Sequence, residues 1–431
     1  MEAIKAIYDF ITGLGASVMM PVIITLLGVI LGAKFGKALR AGITVGIGFI
    51  GISLVINLLF QYLGPAAEGM VKNWGVTLTA IDVGWPVAAA IAFGTRVGSV
   101  IFIVGLAVNL VMLALRLTKT VDVDLWNYWH WAYTGSLIYV ATGNFPLAIL
   151  GAVIHAAYTL KVADLTAPTI QKYFKWPDLS ISHGWATASM LIVWPVLKIL
   201  DALGIEKEAA PADSSDLMRL RERFGVLGEP VLVGLILGII IGLLAYVPAG
   251  LSFKDLLGKV LQLAMSLSAV MLLMPRVVAI LMEGLVPLSD QAREFLQKRF
   301  AGREFYIGMD SALMIGDPLT LTVALLLVPI TLILAVILPG NKLLPFGDLA
   351  ATPFFVVMAT PMSGGRFWKT FITGVVIMVI ILYMGSIWSP LITATAKSIG
   401  YTFPEGAAQI GGFANPLGWI LVMIAKALFG K

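Results

Sequence analysis

His183 and Asp310 are the side chains best suited to chemistry. His183 lies in SISHGWATAS, a run of small residues with Trp185 two positions on. A histidine beside a tryptophan in an apolar setting suits a hydroxylated substrate. The indole stacks on a C–H face, and the imidazole bonds or deprotonates a hydroxyl. An interfacial His beside an interfacial Trp is an equal reading. Asp310 lies in GMDSALMIGDP, with Asp317 seven residues on, two helical turns that would put both on one face. Gly316 and Pro318 argue for a break there instead. An interrupted segment frees backbone amides and carbonyls for a polar ligand. Asp317 is then expected to cap the helix that Pro318 opens, and the site role falls to Asp310.

Two further groups invite the same question. Asp82 precedes Trp85-Pro86 in AIDVGWPVAAAIAFGT, where a helix cap and a substrate ligand are equally good readings. His130 sits in DLWNYWHWAYTG, flanked by Tyr128, Trp129, Trp131 and Tyr133. Such a cluster is either an aromatic belt at the membrane surface or a sugar-binding platform. His155, in mid-span, reads as a core histidine. Arg276 and Glu283, seven apart on one helix, read as structural or as a subunit contact.

Other chemistries are excluded. The chain has no cysteine, so it forms no disulfide, thiolate metal site or cysteine nucleophile. Its three histidines have no metal-ligand spacing, and neither a metal nor a cofactor is expected. No Walker motif, dinucleotide fingerprint or nucleophile elbow occurs in usable context. The 44 glycines read as close-packing residues of membrane helices, not as a phosphate loop. Energy must therefore come from an ion gradient or a separate protein.

The elements that position these residues are membrane helices. Of the 431 residues 59% are hydrophobic and 12% charged, about half the charged share of a soluble domain. Residues 97–115, 319–338 and 371–387 are apolar runs of bilayer-spanning length. The fold class is an all-α polytopic membrane protein, since the short alternating segments of a β-barrel are lacking. The net charge of +5 fits cytoplasmic loops facing anionic lipid, not nucleic-acid binding. MEAIKAIYDF lacks the features of a removable signal, so the first helix is expected to insert and stay.

Residues 17–33 cross first, and Lys34, Lys37 and Arg40 mark a cytoplasmic loop. Residues 42–63 return, and 64–79 form a short polar surface helix. Residues 81–95 read as a broken or re-entrant segment. Residues 125–142 and 145–160 pair around Gly143-Asn144. Residues 181–200 read as re-entrant, or as accompanied by a second partial crossing. Residues 201–224 are a cytoplasmic linker. Beyond it come a crossing at 256–282, an amphipathic stretch at 291–303, a Gly-rich loop at 401–414 and a last helix at 416–429.

The halves echo each other. MPVIITLLGVILG at 20–32 is answered by EPVLVGLILGIIIG at 229–242, and Asp124-Leu125 by Asp348-Leu349. The first segment runs inward and its match leaves a basic cytoplasmic linker outward, which makes the repeat inverted.

The block MPVIITLLGVILGAKFGKALRAGITVGIGFIG, the runs AIDVGWPVAAAIAFGT and SISHGWATAS, and the pair GMDSALMIGDP and FGDLAATPFFVVMATPMSGGRFWKT together resemble the galactitol-type IIC permease component of the bacterial phosphoenolpyruvate-dependent phosphotransferase system. Ascorbate IIC permeases are more distant relatives. The resemblance implies about eleven transmembrane helices in two inverted repeats, with an elevator-type scaffold and core, in a homodimer in the inner membrane. On that plan residues 1–200 are the first repeat (scaffold 17–63, core 82–200) and 201–228 the linker. Residues 229–400 are the second repeat (scaffold 230–283, core 307–399), followed by a loop and terminal helix at 401–431. Galactitol or a related polyol would be carried inward and phosphorylated by a phosphocysteine on a separate IIB protein, itself served by IIA. His183 and Asp310 then fall where substrate is held and would be catalytic. Trp185, Asp82, Trp85 and His130 complete the expected substrate-binding set. Gly184 and Trp185 stand where the ascorbate relatives have glutamines, which fits a different substrate. An ion-coupled secondary transporter, with Asp310 or Asp82 as the cation site, is the rival reading.

Overall fold

The computed structural model describes residues 16–74, 78–122, 124–206, 229–299, 305–401 and 409–430. Most of the linker, the start of the chain and part of the Gly-rich loop lie outside the described residues. Among those described, seven helices are long and apolar enough to cross a membrane, and a bent helix pair makes an eighth candidate. The protein is an α-helical polytopic membrane protein. The outward stripe Ile43, Ile47, Ile50 and Leu54, at helical spacing and largely exposed, suits lipid and not water.

Four helices pack together at one side. Helices α1 (Ala16–Ile30) and α2 (Phe35–Trp74) form an antiparallel pair. Of the residues expected to form a separate surface helix after 63, those as far as Trp74 instead continue α2 through Pro65, and 75–77 lie outside the described residues. From Leu78 on comes a strand-bearing part, described below. Past the linker, α8 (Pro230–Tyr246) packs on α9 (Phe253–Arg299). Gly234, Gly238 and Gly242 lie one turn apart on α8, and any Cβ there would strike Ser268, Ala264 and Val260 of α9. Small residues at that spacing let two helix backbones touch, as membrane packing requires. The expected crossing at 256–282 and the amphipathic stretch as far as Arg299 are one 47-residue helix, despite Pro275 and Pro287 inside it, and residues 300–303 of that stretch lie outside the described residues.

The strand-bearing part alternates short strands with helices. Strand β1 (Ala80–Asp82) leads into α3 (Trp85–Gly94). A break bends the chain by 77° before the turn Gly98–Val100 and α4 (Ile101–Ala114). Thr95 ties the break: its Oγ1 donates to the Ala92 carbonyl (2.8 Å) and accepts the Gly98 amide (3.1 Å). Strand β2 (Thr120–Asp122) follows, then a turn at Leu125–Tyr128 and α5 (Trp129–Thr142). Gly143 closes α5 in the left-handed region, and Asn144 caps α6 (Phe145–Phe174) by accepting the Leu147 amide at 3.0 Å. Strand β3 (Leu179–Ile181) and α7 (Gly184–Ala202) complete the first half.

In the second half β4 (Tyr306–Met309) and a turn at Ser311–Leu313 precede α10 (Pro318–Ile337). Then come β5 (Leu343–Leu344), the short helices α11 (Thr352–Val356) and α12 (Ala359–Met362), and α13 (Phe367–Ser398). Strand β6 (Gln409–Gly411) and α14 (Pro416–Phe429) end the fold. The all-α reading misses the six strands, which are too short to show a period of two. They make two parallel three-stranded sheets, ordered β5-β1-β6 and β2-β4-β3.

Asp317 caps α10 as expected, accepting the Thr320 amide at 2.9 Å and the Tyr173 hydroxyl at 3.2 Å. Asp317→Ala should lower stability by about 1–2 kcal/mol, read as a fall in Tm in detergent, with the site described below intact.

Candidate functional site

Helix α7 begins inside the protein, and its first turn builds the site. His183 is its N-cap: Nδ1 accepts the Ala186 amide at 3.2 Å. A ring whose Nδ1 accepts carries its proton on Nε2 when neutral, so His183 presents an N–H donor to its surroundings. That Nε2 lies 3.2 Å from Nε2 of His130 and 3.9 Å from Oδ1 of Asp310. His130 therefore accepts at Nε2 and holds its own proton at Nδ1, a buried atom with no protein partner.

Asp310 follows β4 directly and caps the next turn, Oδ1 accepting the Ala312 amide at 2.8 Å. Among the described residues its Oδ2 has no hydrogen-bond donor. Strand pairing brings the two residues together: β3 lies beside β4 with Ile181 opposite Met309, so the residues just past each strand end meet.

These groups line one cavity of about 280 Å³, at the small end for ligand sites. Its walls are Trp85, Trp126, Trp129, Trp185, Phe354, Phe355 and Phe413, with Pro275, Val278, Ala279 and Met282 of α9 opposite. Trp129 stacks on His130, their ring centres 3.8 Å apart, and Trp85 lies parallel to Trp129 at 6.5 Å. Phe413 meets Trp129 edge-on at 4.6 Å. Trp185 is 1% exposed and its Nε1 has no protein partner. An unpaired buried donor costs about 1–3 kcal/mol, and the Trp185 and His130 N–H groups both carry that cost beside the cavity.

Five of the six residues singled out in the sequence thus line one cavity: His183, Asp310, Trp185, Trp85 and His130. His130 and its neighbours are not a surface belt: Tyr128, Trp129, Trp131 and Tyr133 are each at most 1% exposed. Asp82 stands behind the wall, its carboxylate held by backbone amides. His155 is a core residue, with Nδ1 2.8 Å from the Thr134 hydroxyl. The sequence reading passes over Phe413, Phe354 and the α9 wall. Phe413 sits in a Gly-rich stretch that reads as a loop, and only its place beside a strand too short to detect reveals it.

Gly184 is fixed by crowding, since a Cβ there would lie 2.4 Å from Cβ of His130. Gly184→Ala should displace the His130–His183 pair at a cost of about 1–3 kcal/mol, measurable as a lower Tm.

A cavity with aromatic faces, a carboxylate and an imidazole donor, set among membrane helices, suits a hydroxylated solute. The chain matches the family model described as a PTS system sugar-specific permease component, EIIC-GAT, over residues 9–406. It belongs to that family. It is 38% identical over 421 residues to the galactitol-specific EIIC component of the PTS of Escherichia coli (strain K12), a match covering 96% of this chain and 90% of the relative. The galactitol-specific EIIC component of Escherichia coli O157:H7 matches to the same extent. A further Escherichia coli (strain K12) protein, a IIC permease component of provisional assignment, is 40% identical over 414 residues, covering 96% of this chain and 92% of its own length. Permease components of this family are integral to the bacterial inner membrane, and the apolar helices fit that location.

Proposed function

We propose that this permease component binds galactitol or a related polyol and carries it inward, presenting one hydroxyl to a phosphocysteine on a separate IIB protein that IIA reloads. The observation that carries the reading is the aromatic cavity holding both Asp310 and His183. Its small volume suits a compact solute, and the identity to galactitol-specific relatives supports the polyol class.

The chemistry follows from the donors and acceptors. The polyol lays C–H faces on Trp85 and Trp129. When substrate is bound, His183 turns its Nε2 proton from His130 to the attacking hydroxyl and orients it. Since neutral His183 already carries its proton there, it cannot take another from the substrate, and the free Oδ2 of Asp310 is the base. The oxygen–phosphorus bond forms as the sulfur–phosphorus bond breaks, the hydroxyl proton passes to Asp310, and the thiolate leaves on IIB. Little covalent work falls to the protein, so alignment is its main contribution. Asp82 takes no part in substrate contact.

The same reading extends to the architecture: two inverted repeats, an elevator movement and a homodimer. Helices α1 and α2 correspond to α8 and α9 and form the scaffold, while the strand-bearing segments form the core. Each sheet has its middle strand from one half and its outer strands from the other, the pattern that inverted repeats produce. The cavity lies between α9 and the core, where a moving core would carry its cargo along a fixed wall.

The test is reconstitution of the chain in vesicles with its soluble phosphotransferase partners and labelled galactitol. Galactitol phosphate inside, dependent on phosphoenolpyruvate, is the expected result. Free galactitol accumulating on an ion gradient would overturn the reading in favour of a secondary transporter.

A further inference from the structure

Asp348 lies outside the cavity, yet it grips two of the cavity's walls at once. Its carboxylate is 7% exposed as a residue and accepts two backbone amides. Oδ1 takes the Trp85 amide at 2.7 Å, and Oδ2 takes the Phe413 amide at 2.8 Å. These amides belong to segments far apart in the chain, one opening α3 and one following β6. Asp348 is itself held by Asp82, whose Oδ2 accepts the amides of Asp348 (2.8 Å) and Phe346 (3.1 Å). The other oxygen of Asp82 accepts the amide of Gly84 at 2.9 Å, which keeps the loop into α3 in register. Gly84 has φ +80, and a Cβ there would meet Gly347 at 3.0 Å, so the two loops pass backbone to backbone.

We infer that Asp348 is a positioning residue for substrate, fixing the separation of the Trp85 and Phe413 rings, with Asp82 orienting it from behind. The two rings flank Trp129, Trp85 parallel to it and Phe413 edge-on. Phe413 also meets Trp185 at 5.8 Å and His130 at 5.0 Å, so a shift of its backbone disturbs two more rings that line the cavity. A carboxylate suits the task because both of its oxygens accept, whereas an amide offers one acceptor and must release one wall. The inference rests on the cavity being the polyol site.

Two measurements on the full chain test it. Hydrogen exchange without ligand should speed up at the Trp85 and Phe413 amides in Asp348→Asn, whatever the substrate proves to be. Labelled galactitol should bind Asp348→Asn about tenfold more weakly, as expected for displaced contact groups, while kcat at saturation changes less than KM. In a Trp85→Leu/Phe413→Leu background the further effect of Asp348→Asn on Kd should fall below about twofold, because additivity fails only for coupled residues. Unchanged exchange at both amides, or an equal loss of affinity with and without the two rings, would overturn the inference. If Asp348→Asn does not fold, Asp82→Asn takes its place, with exchange raised at Gly84 and Phe346 and a smaller rise in Kd expected. Wild-type protein that binds no galactitol would instead sink the polyol reading, and the exchange result would still decide the role of Asp348.

Discussion

Asp310→Asn is expected to reduce phosphoenolpyruvate-driven polyol phosphorylation by about 10²–10⁴-fold, the usual share of a general base. The substitution is well controlled by its own geometry. Oδ1 caps the turn at Ser311–Leu313 through the Ala312 amide, and asparagine caps as well as aspartate does. The loop should therefore keep its shape, and only the proton acceptor at the other oxygen is lost. Polyol binding should change far less than turnover, since an amide still bonds hydroxyls. Asp310→Ala removes base and cap together and should lose binding as well. Wild-type turnover in Asp310→Asn would mean that another group takes the proton.

The second large effect is expected at His183, where two functions can be separated. His183→Ala removes the helix cap at Ala186 and the Nε2 donor at once. Cap loss costs about 1 kcal/mol, and losing the donor that aligns the hydroxyl costs about 10²-fold in turnover. His183→Asn should restore most of the stability, because asparagine is among the best N-caps, but none of the turnover, because its side chain is too short to reach the Nε2 position. Melting curves and phosphorylation rates on the three proteins check this. Turnover recovering along with Tm would assign His183 a structural role only.

Much of this was legible in the sequence. Composition decides the class, and the break around Thr95, the Asn144 turn and the Asp317 cap each follow from local residue chemistry. His183 and Asp310 stand out because polar groups in apolar runs need a reason. What local chemistry cannot show is which distant segments meet. The strands that join His183 to Asp310 are three or four residues long, below any detectable period. Asp348 accepts the amides of Trp85 and Phe413, neither within sixty residues of it, and no residue type announces such a bond. Helix length fails for a related reason: the expected elements end short of Pro65 and Pro287, yet neighbouring helices hold α2 and α9 together across them.

The strand exchange also bears on how the chain is made. β1 is synthesised early but finds its neighbours only in β5 and β6, while β2 and β3 wait for β4. Contacts so far apart in sequence form slowly, because a long segment must be ordered before they repay it. Neither half can close a sheet alone, so the two halves expressed as separate genes should each be degraded and should accumulate only together. A cell producing this protein has to shelter an unfinished first half in the bilayer until β6 has been translated.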